Sequence, residues 1–376
     1  LARALDSFGG LEVESTPEGF RVSRSESPLE APRAAMDMGG AGTPARFLLS
    51  FAAAAQGNSV ITGNPRLRER PMDHLLDALG AMGIHYECFG KPGCLPVRIH
   101  GGTPGSTTWK VRGDVSSQFT SSLLLYASQQ RQVQSIRIQV EGHIVSKPYV
   151  DMTLAMMNEC GLPVKRVSDL ELVVSPATPN SEKIHVEADA SGMSYFLAAA
   201  ALTGTTVKIR GVGCDSAQGD VGLAHAFEQM GCQLEMAEDS IQITGAPLSG
   251  ITIDMETMPD VVLTLAVAAS RASGSTRIHN IANLRVKECD RIHAAARELQ
   301  RLGVHVDEGR DCLEVHPTGT LQPARIHTYD DHRVAMAFGV LGLVKDGIEI
   351  QDPECVAKSF PGFWNEMQRF RSHHQG

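Results

Sequence analysis

Ser275-Thr-Arg-Ile-His-Asn280, Asn283-Leu-Arg-Val-Lys-Glu-Cys-Asp-Arg291, Leu299-Gln-Arg-Leu-Gly303 and Leu313-Glu-Val315 follow one another along a single stretch of the chain. The first segment alternates as a strand does. Ile292, Ala295, Ala296, Leu299 and Leu302 recur at helical spacing as far as Gly303, a residue suited to ending a helix. The last segment alternates again. The stretch reads as strand, polar loop, amphipathic helix and strand. Five of the nine residues in 283–291 are charged. Lys287 and Arg291 are four apart and Glu288 and Arg291 three apart, so near a helix start all three are expected on one face. Two cations there oppose the positive end of the helix dipole, which points to an anion such as phosphate that offsets them. The plainer alternative is a solvated helix start with a local Glu–Arg pair.

The pattern recurs along the whole chain. Leu5-Asp-Ser-Phe-Gly9, Leu79-Gly-Ala-Met-Gly83, Met157-Asn-Glu-Cys-Gly161 and Phe227-Glu-Gln-Met-Gly231 close helices in the same way, with glycines 74, 78, 70 and 72 residues apart through Gly303. Strand-like segments follow each glycine, and another precedes each helix after the first. Ahead of that strand lies a very apolar run: Ala45–Ala55, Phe119–Ala127, Tyr195–Leu202, Val261–Ala269 and Val334–Val344. A helix with so little polar surface belongs inside a fold. The fold class expected is α/β, two similar inside-out α/β domains, each of three repeated units with buried helices. The boundaries expected are residues 1–187 and 188–376. By the period, the first unit lacks a strand, a buried helix and a second strand, so a truncated or separately supplied N-terminus is expected.

Composition narrows the function. The chain has 376 residues, 42% of them hydrophobic and 20% charged, and a net charge of −9, which argues against a nucleic-acid or anionic-membrane partner. The eight cysteines form no CxxC and no Cys/His ligand spacing, and no apolar run reaches membrane-span length. We therefore expect a cytoplasmic protein with reduced thiols, no metal and no cofactor.

Polar residues gather at two recurring places. The buried helices begin at Gly39-Gly-Ala-Gly-Thr-Pro-Ala-Arg46, Ser116-Ser-Gln118, Asp189-Ala-Ser-Gly-Met-Ser194, Pro259-Asp260 and Asp330-Asp-His-Arg333. The strand-to-helix loops add Arg66-Leu-Arg-Glu-Arg70, Ser146-Lys-Pro-Tyr149, Gln218-Gly-Asp220, residues 283–291 and Lys358-Ser359. Such ends are where α/β proteins bind ligands. Each motif also has a plainer role: Gly39–Thr43 as a turn, Ser116-Ser117 and Asp260 as helix caps. Arg66, Arg68 and Arg70 are too close together to share one target, so at least one is expected to face solvent. Arg66, Arg291, Arg333 and Lys358 suit phosphate and carboxylate. Asp260 and Glu288 offer a base and an acid, and His332 is an acid–base candidate. The inventory points to group transfer between anionic small molecules.

Ala41-Gly-Thr with Arg46, Asn64-Pro-Arg-Leu-Arg-Glu-Arg-Pro71, Val115-Ser-Ser-Gln-Phe119, Val145-Ser-Lys-Pro-Tyr149, Ser194-Tyr-Phe-Leu-Ala-Ala-Ala200, Gln218-Gly-Asp220, Pro259-Asp260, Arg285-Val-Lys-Glu288 with Asp290-Arg291, Asp331-His-Arg333 and Ala357-Lys358 together resemble the 5-enolpyruvylshikimate-3-phosphate (EPSP) synthase family. The resemblance implies two inside-out α/β domains that close on substrate from either side. It implies shikimate 3-phosphate and phosphoenolpyruvate as partners, in the route to chorismate and the aromatic amino acids. Catalytic roles would fall to Asp260, Glu288 and His332. Phosphoenolpyruvate would be held by Gly42, Arg66, Gln118, Arg291, Arg333 and Lys358. Shikimate 3-phosphate would be held by Ser116, Ser117, Gln118, Ser146, Tyr149, Asp260, Asn283 and Lys287.

Three departures accompany the resemblance. The family's Gly-Ser-Lys-Ser segment is not in this sequence, which leaves a catalytically incomplete chain as an alternative. Gly40 stands where the family usually has Asn, and Phe47 where it has Pro, so altered affinity for glyphosate, a phosphoenolpyruvate mimic, is expected. The rival within the class, an enolpyruvyl transferase acting on UDP-N-acetylglucosamine, relies on a loop cysteine. Here only Cys88 and Cys94 lie near that region.

Overall fold

The apolar runs fold as helices enclosed on nearly every side, since no polar face is present to meet water. They are α1 (Gly42–Ala53), α2 (Ser117–Ser128), α3 (Ala190–Thr203), α4 (Val262–Ala269) and α5 (His332–Leu341). Every residue of α4 is buried. The computed structural model describes all residues except Glu18, Glu182, His185, Gln375 and Gly376. Among the described residues no helix is long and apolar enough to cross a membrane. The chain divides into two compact units, Leu1–Ile184 and His185–Gly376.

The sheets repeat one scheme. Met36–Asp37 leads through α1 to the parallel strand Asn58–Thr62. That strand pairs antiparallel with Val97–His100, which pairs antiparallel with Tyr86–Cys88. Thr108–Arg112, α2 and Ile136–Glu141 open the next sheet in the same parallel manner. In the C-terminal unit, Thr252–Asp254, α4 and Thr276–His279 do so again, followed by Cys312–His316 and the edge strand His305–Glu308. Each of α1, α2 and α4 is thus the crossover of a parallel pair, and its N-terminus follows a strand end. The helix-ending glycines Gly83, Gly161, Gly231 and Gly303 take φ of +91°, +72°, +114° and +82°, which side chains resist. In the first repeat the left-handed residue is Gly10, one position after the aligned Gly9.

The two interiors differ. In the C-terminal unit α3, α4 and α5 all pack against one another. In the N-terminal unit α1 packs on α2, and a cavity of about 660 Å³ opens beside them. Leu5, Leu11, Phe47, Phe51, Leu125 and Tyr126 are among its lining residues.

Candidate active site

In the C-terminal unit the polar ends converge on Arg291, which is 1% exposed. Its Nε and Nη2 donate to Asp331 Oδ2 and Oδ1 at 2.8 and 3.2 Å. Nη1 reaches Asp260 Oδ1 at 3.0 Å, and Nη2 also reaches Glu288 Oε2 at 3.0 Å. The same carboxylates serve further cations. Lys287 Nζ lies 3.3 Å from Asp260 Oδ1, and Arg333 Nη2 lies 3.1 Å from Asp260 Oδ2. Lys358 Nζ lies 2.9 Å from Glu288 Oε1. Four cations and three carboxylates form one connected network, with no more than 29% of any side chain exposed.

Local sequence explains how this is assembled. Asp290 caps the helix Arg291–Arg301 by accepting from His293 N at 3.0 Å. That helix therefore starts at Arg291, and the expectation that Lys287 and Glu288 share its face is corrected. The preceding residues form a 3-10 turn, Ala282–Val286, and then run extended at Lys287. Asn283 sits half-buried in that turn. Asp260 belongs to the 3-10 turn Pro259–Val261 and caps no helix, so the capping alternative fails there. Asp331 caps α5, accepting from Arg333 N at 2.9 Å while binding Arg291, and places His332 and Arg333 in the first turn. Carboxylates offset the cations at this helix start, the role that sequence had suggested for a phosphate.

Burial works to raise the pKa of Asp260, but Arg333, Lys287 and Arg291 outweigh it and hold the group well below the ordinary carboxylate range. Burial likewise opposes Asp331, and Arg291 overcomes it, so Asp331 is also lowered. Arg291 stays charged because Asp331, Glu288 and Asp260 more than offset its desolvation. Burial lowers His332 to about 4, leaving a neutral imidazole at pH 7 whose Nδ1 has no hydrogen-bond partner among the described residues. Burial first, and then the charge of Asp260, push Asp220 up to about 6.

At the corresponding ends the N-terminal unit sets arginines beside amide and hydroxyl groups. Arg46, 3% exposed, donates to Gln118 Oε1 at 2.7 Å and to Pro71 O at 3.4 Å. Gln118 Nε2 then donates to Thr43 Oγ1 at 2.8 Å, joining the start of α2 to the start of α1. Ser116 caps α2, as its plainer role anticipated, with Gln118 N donating to Ser116 Oγ at 3.3 Å. Ser117 is buried beside it. A side chain at Gly42 would meet the guanidinium of the buried Arg70, Nη1 at 2.5 Å, and would have to displace it. Arg66 pairs with Glu69 at 3.2 Å, and Arg68 faces solvent. Ser146 is buried in a left-handed conformation (φ +53°) ahead of the helix Lys147–Glu159, which carries Tyr149 in its first turn.

One positioning group escaped the sequence reading, and another was quoted there without a role. Glu298, fully buried on the helix Arg291–Arg301, accepts from His327 N at 3.0 Å and Tyr329 OH at 2.7 Å. It thereby fixes the loop that delivers Asp331. Arg285 ties the preceding turn to Asp290 (2.7 Å) and Glu308 (3.0 Å). Nothing in periodicity marks either residue, because both look like solvent-facing charges.

An EPSP synthase structure from Acinetobacter baumannii matches with a TM-score of 0.77 at 27% identity, covering 98% of this chain and 86% of that one. The enolpyruvyl transferase NikO from Streptomyces tendae matches at a TM-score of 0.68 and 15% identity, covering 98% of this chain and 85% of that one, a likeness of fold alone. The family model for EPSP synthase (3-phosphoshikimate 1-carboxyvinyltransferase) matches residues 1–367, and the chain belongs to that family. The 3-phosphoshikimate 1-carboxyvinyltransferase of Shewanella pealeana is 40% identical over 343 residues, 90% of this chain and 80% of that protein. That of Herminiimonas arsenicoxydans is 41% identical over 345 residues, 88% of this chain and 77% of that protein. The thiol-dependent alternative finds no support in the thiols: Cys88 lies within a strand, and burial pushes the Cys94 thiol up.

Proposed function

We propose that this chain transfers the enolpyruvyl group of phosphoenolpyruvate to the 5-hydroxyl of shikimate 3-phosphate and releases inorganic phosphate. The observation that carries the reading is the network in which Asp260 and Glu288 are shared among Lys287, Arg291, Arg333 and Lys358. Both substrates carry phosphate and carboxylate groups, and these cations match them. As the substrate anions draw donors of Arg291, Arg333 and Lys358 toward phosphoenolpyruvate, and Lys287 toward shikimate 3-phosphate, Asp260 loses part of its cationic load. Its proton affinity rises, and a carboxylate too acidic to act as a base becomes one.

The 5-hydroxyl oxygen then bonds to C2 of phosphoenolpyruvate while Asp260 takes the hydroxyl proton. Glu288, in its acid form, delivers a proton to C3, giving a tetrahedral adduct. In the second step Glu288 recovers a proton from C3, the double bond re-forms, and the C2–phosphate oxygen bond breaks as the proton held by Asp260 passes to the leaving phosphate, which resets both carboxyl groups. His332, neutral and beside Arg291 and Arg333, supports this centre as an uncharged hydrogen-bonding group. Ser116, Ser117, Ser146, Tyr149 and Asn283 hold shikimate 3-phosphate. Arg66, Gln118 and the backbone of Gly42 hold phosphoenolpyruvate. Gln118 and Asp260 each also touch shikimate 3-phosphate in this assignment. Positioning of two anions away from bulk water supplies the remainder of the rate.

Phosphate release tests the reading, measured on the chain alone and with the family's Gly-Ser-Lys-Ser segment added. Release that requires both substrates together, in either arm, is the result expected. A folded protein that releases no phosphate in either arm overturns it.

A further inference from the structure

We propose that the ribbon formed by His305–Glu308 and Cys312–His316 carries a binding site for a late first-row divalent cation, with His305, Asp307 and His316 as ligands. The register brings them together. His305 lies directly opposite His316 across the antiparallel pair, and Asp307 is two residues beyond His305. Side chains alternate along a strand, so all three project from one face of the ribbon. Their ligand atoms lie within 4.8 Å of one another. Asp307 Oδ2 is 2.8 Å from His316 Nε2, and Asp307 Oδ1 is 3.4 Å from His305 Nε2. Metal–ligand bonds of about 2.0–2.1 Å in tetrahedral geometry place ligand atoms roughly 3.3 Å apart, which these separations bracket.

A second observation points to the same ligand. His316 Nδ1 lies 2.8 Å from Ser275 Oγ on the neighbouring strand segment. This orients the ring with Nε2 toward Asp307, the outer contact that metal-binding histidines use to fix orientation and tautomer. The other acid on this face, Glu314, stands across from Asp307 and is engaged by Arg277 at 3.1 Å. The first coordination sphere therefore consists of two imidazoles and one carboxylate, leaving room for water or another donor. That donor set selects zinc, cobalt, nickel or copper over magnesium and calcium. The strand His305–Glu308 is the last of its sheet, and the side chains of His305 and Asp307 are 69% and 64% exposed, so an ion enters directly from solvent. None of the three residues belongs to the network around Arg291, and the proposal is independent of the function proposed above.

Zinc or cobalt(II) titrated into the purified protein, followed by calorimetry and by cobalt absorption in the visible, tests the site. One equivalent is expected to bind in the micromolar range. The double variant His305→Ala/His316→Ala is expected to lose it, and Ser275→Ala to weaken it about tenfold. Magnesium is expected to give no heat. Melting curves check that the variants fold, which their surface positions favour. Binding weaker than millimolar, or binding unchanged in the double variant, overturns the proposal.

Discussion

At the start of α5 the C-terminal unit seats a buried arginine, Arg291, among three carboxylates. At the start of α1 the N-terminal unit seats another, Arg46, against a side-chain amide and a backbone carbonyl. Removing one member of a buried, paired ionic network leaves a charge uncompensated. A chain of amide and hydroxyl contacts yields at lower cost. The proton-handling carboxylates proposed above, Asp260 and Glu288, both lie in the C-terminal network. The interiors differ in parallel: three mutually packed helices in one unit, two helices beside an apolar cavity in the other.

The comparison breaks most visibly at Asp331. Asp331→Ala removes the two-point partner of Arg291 and should destabilise the C-terminal unit by about 3–5 kcal/mol in urea denaturation. A loss below ~1 kcal/mol would show that the network is slack. Gln118→Ala removes the acceptor of a charged donor and should cost the N-terminal unit about 1.5–3 kcal/mol. If it costs more than Asp331→Ala, the contrast between the units is reversed.

A pH scan sharpens the picture of the charged unit. His332 is lowered to about 4, so the stability it contributes is present above its unfolded value of roughly 6.5 and is lost as pH falls toward 4. Asp220 is raised to about 6, so its contribution is present below the unfolded value of roughly 3.9 and is lost as pH rises through 6. The two slopes oppose each other over nearly the same window. The melting temperature of the unaltered protein should change little there, whereas Asp220→Asn should expose a fall as pH drops from 6.5 to 4. A variant profile that overlays the parent's would remove both assignments. The smallest effect expected concerns the cavity. Leu125→Phe, at its wall, should stabilise the N-terminal unit by about 0.5–1 kcal/mol. A destabilised variant would mean that the space closes in solution.

The repeats were legible because Val261–Ala269 and its counterparts have no polar face and because glycines close the outer helices. Much of the candidate site was legible for a related reason: Asp260, Glu288, Arg291 and Arg333 fall at equivalent element ends, and the structure joins them. Local geometry was harder to read. Capping by Asp290 moved the helix start past Lys287 and Glu288. Ser146, Tyr329, Asp330 and Asp352 adopt left-handed conformations beside site residues without being glycine, a strain that residue type does not announce. Glu298 looks like an exposed helix residue until the loop at 327–329 is seen folding over it. The face shared by His305, Asp307 and His316 depends on strand register, which sequence alone does not set.

The most direct test of the central claim is phosphate release by Asp260→Asn and Glu288→Gln proteins whose melting shows them folded. If these carboxylates handle the protons, each substitution should lower the rate by about 10²–10⁴-fold while binding of the two anionic substrates persists. Rates within about threefold of the unaltered protein would contradict the account and leave the network a purely structural one.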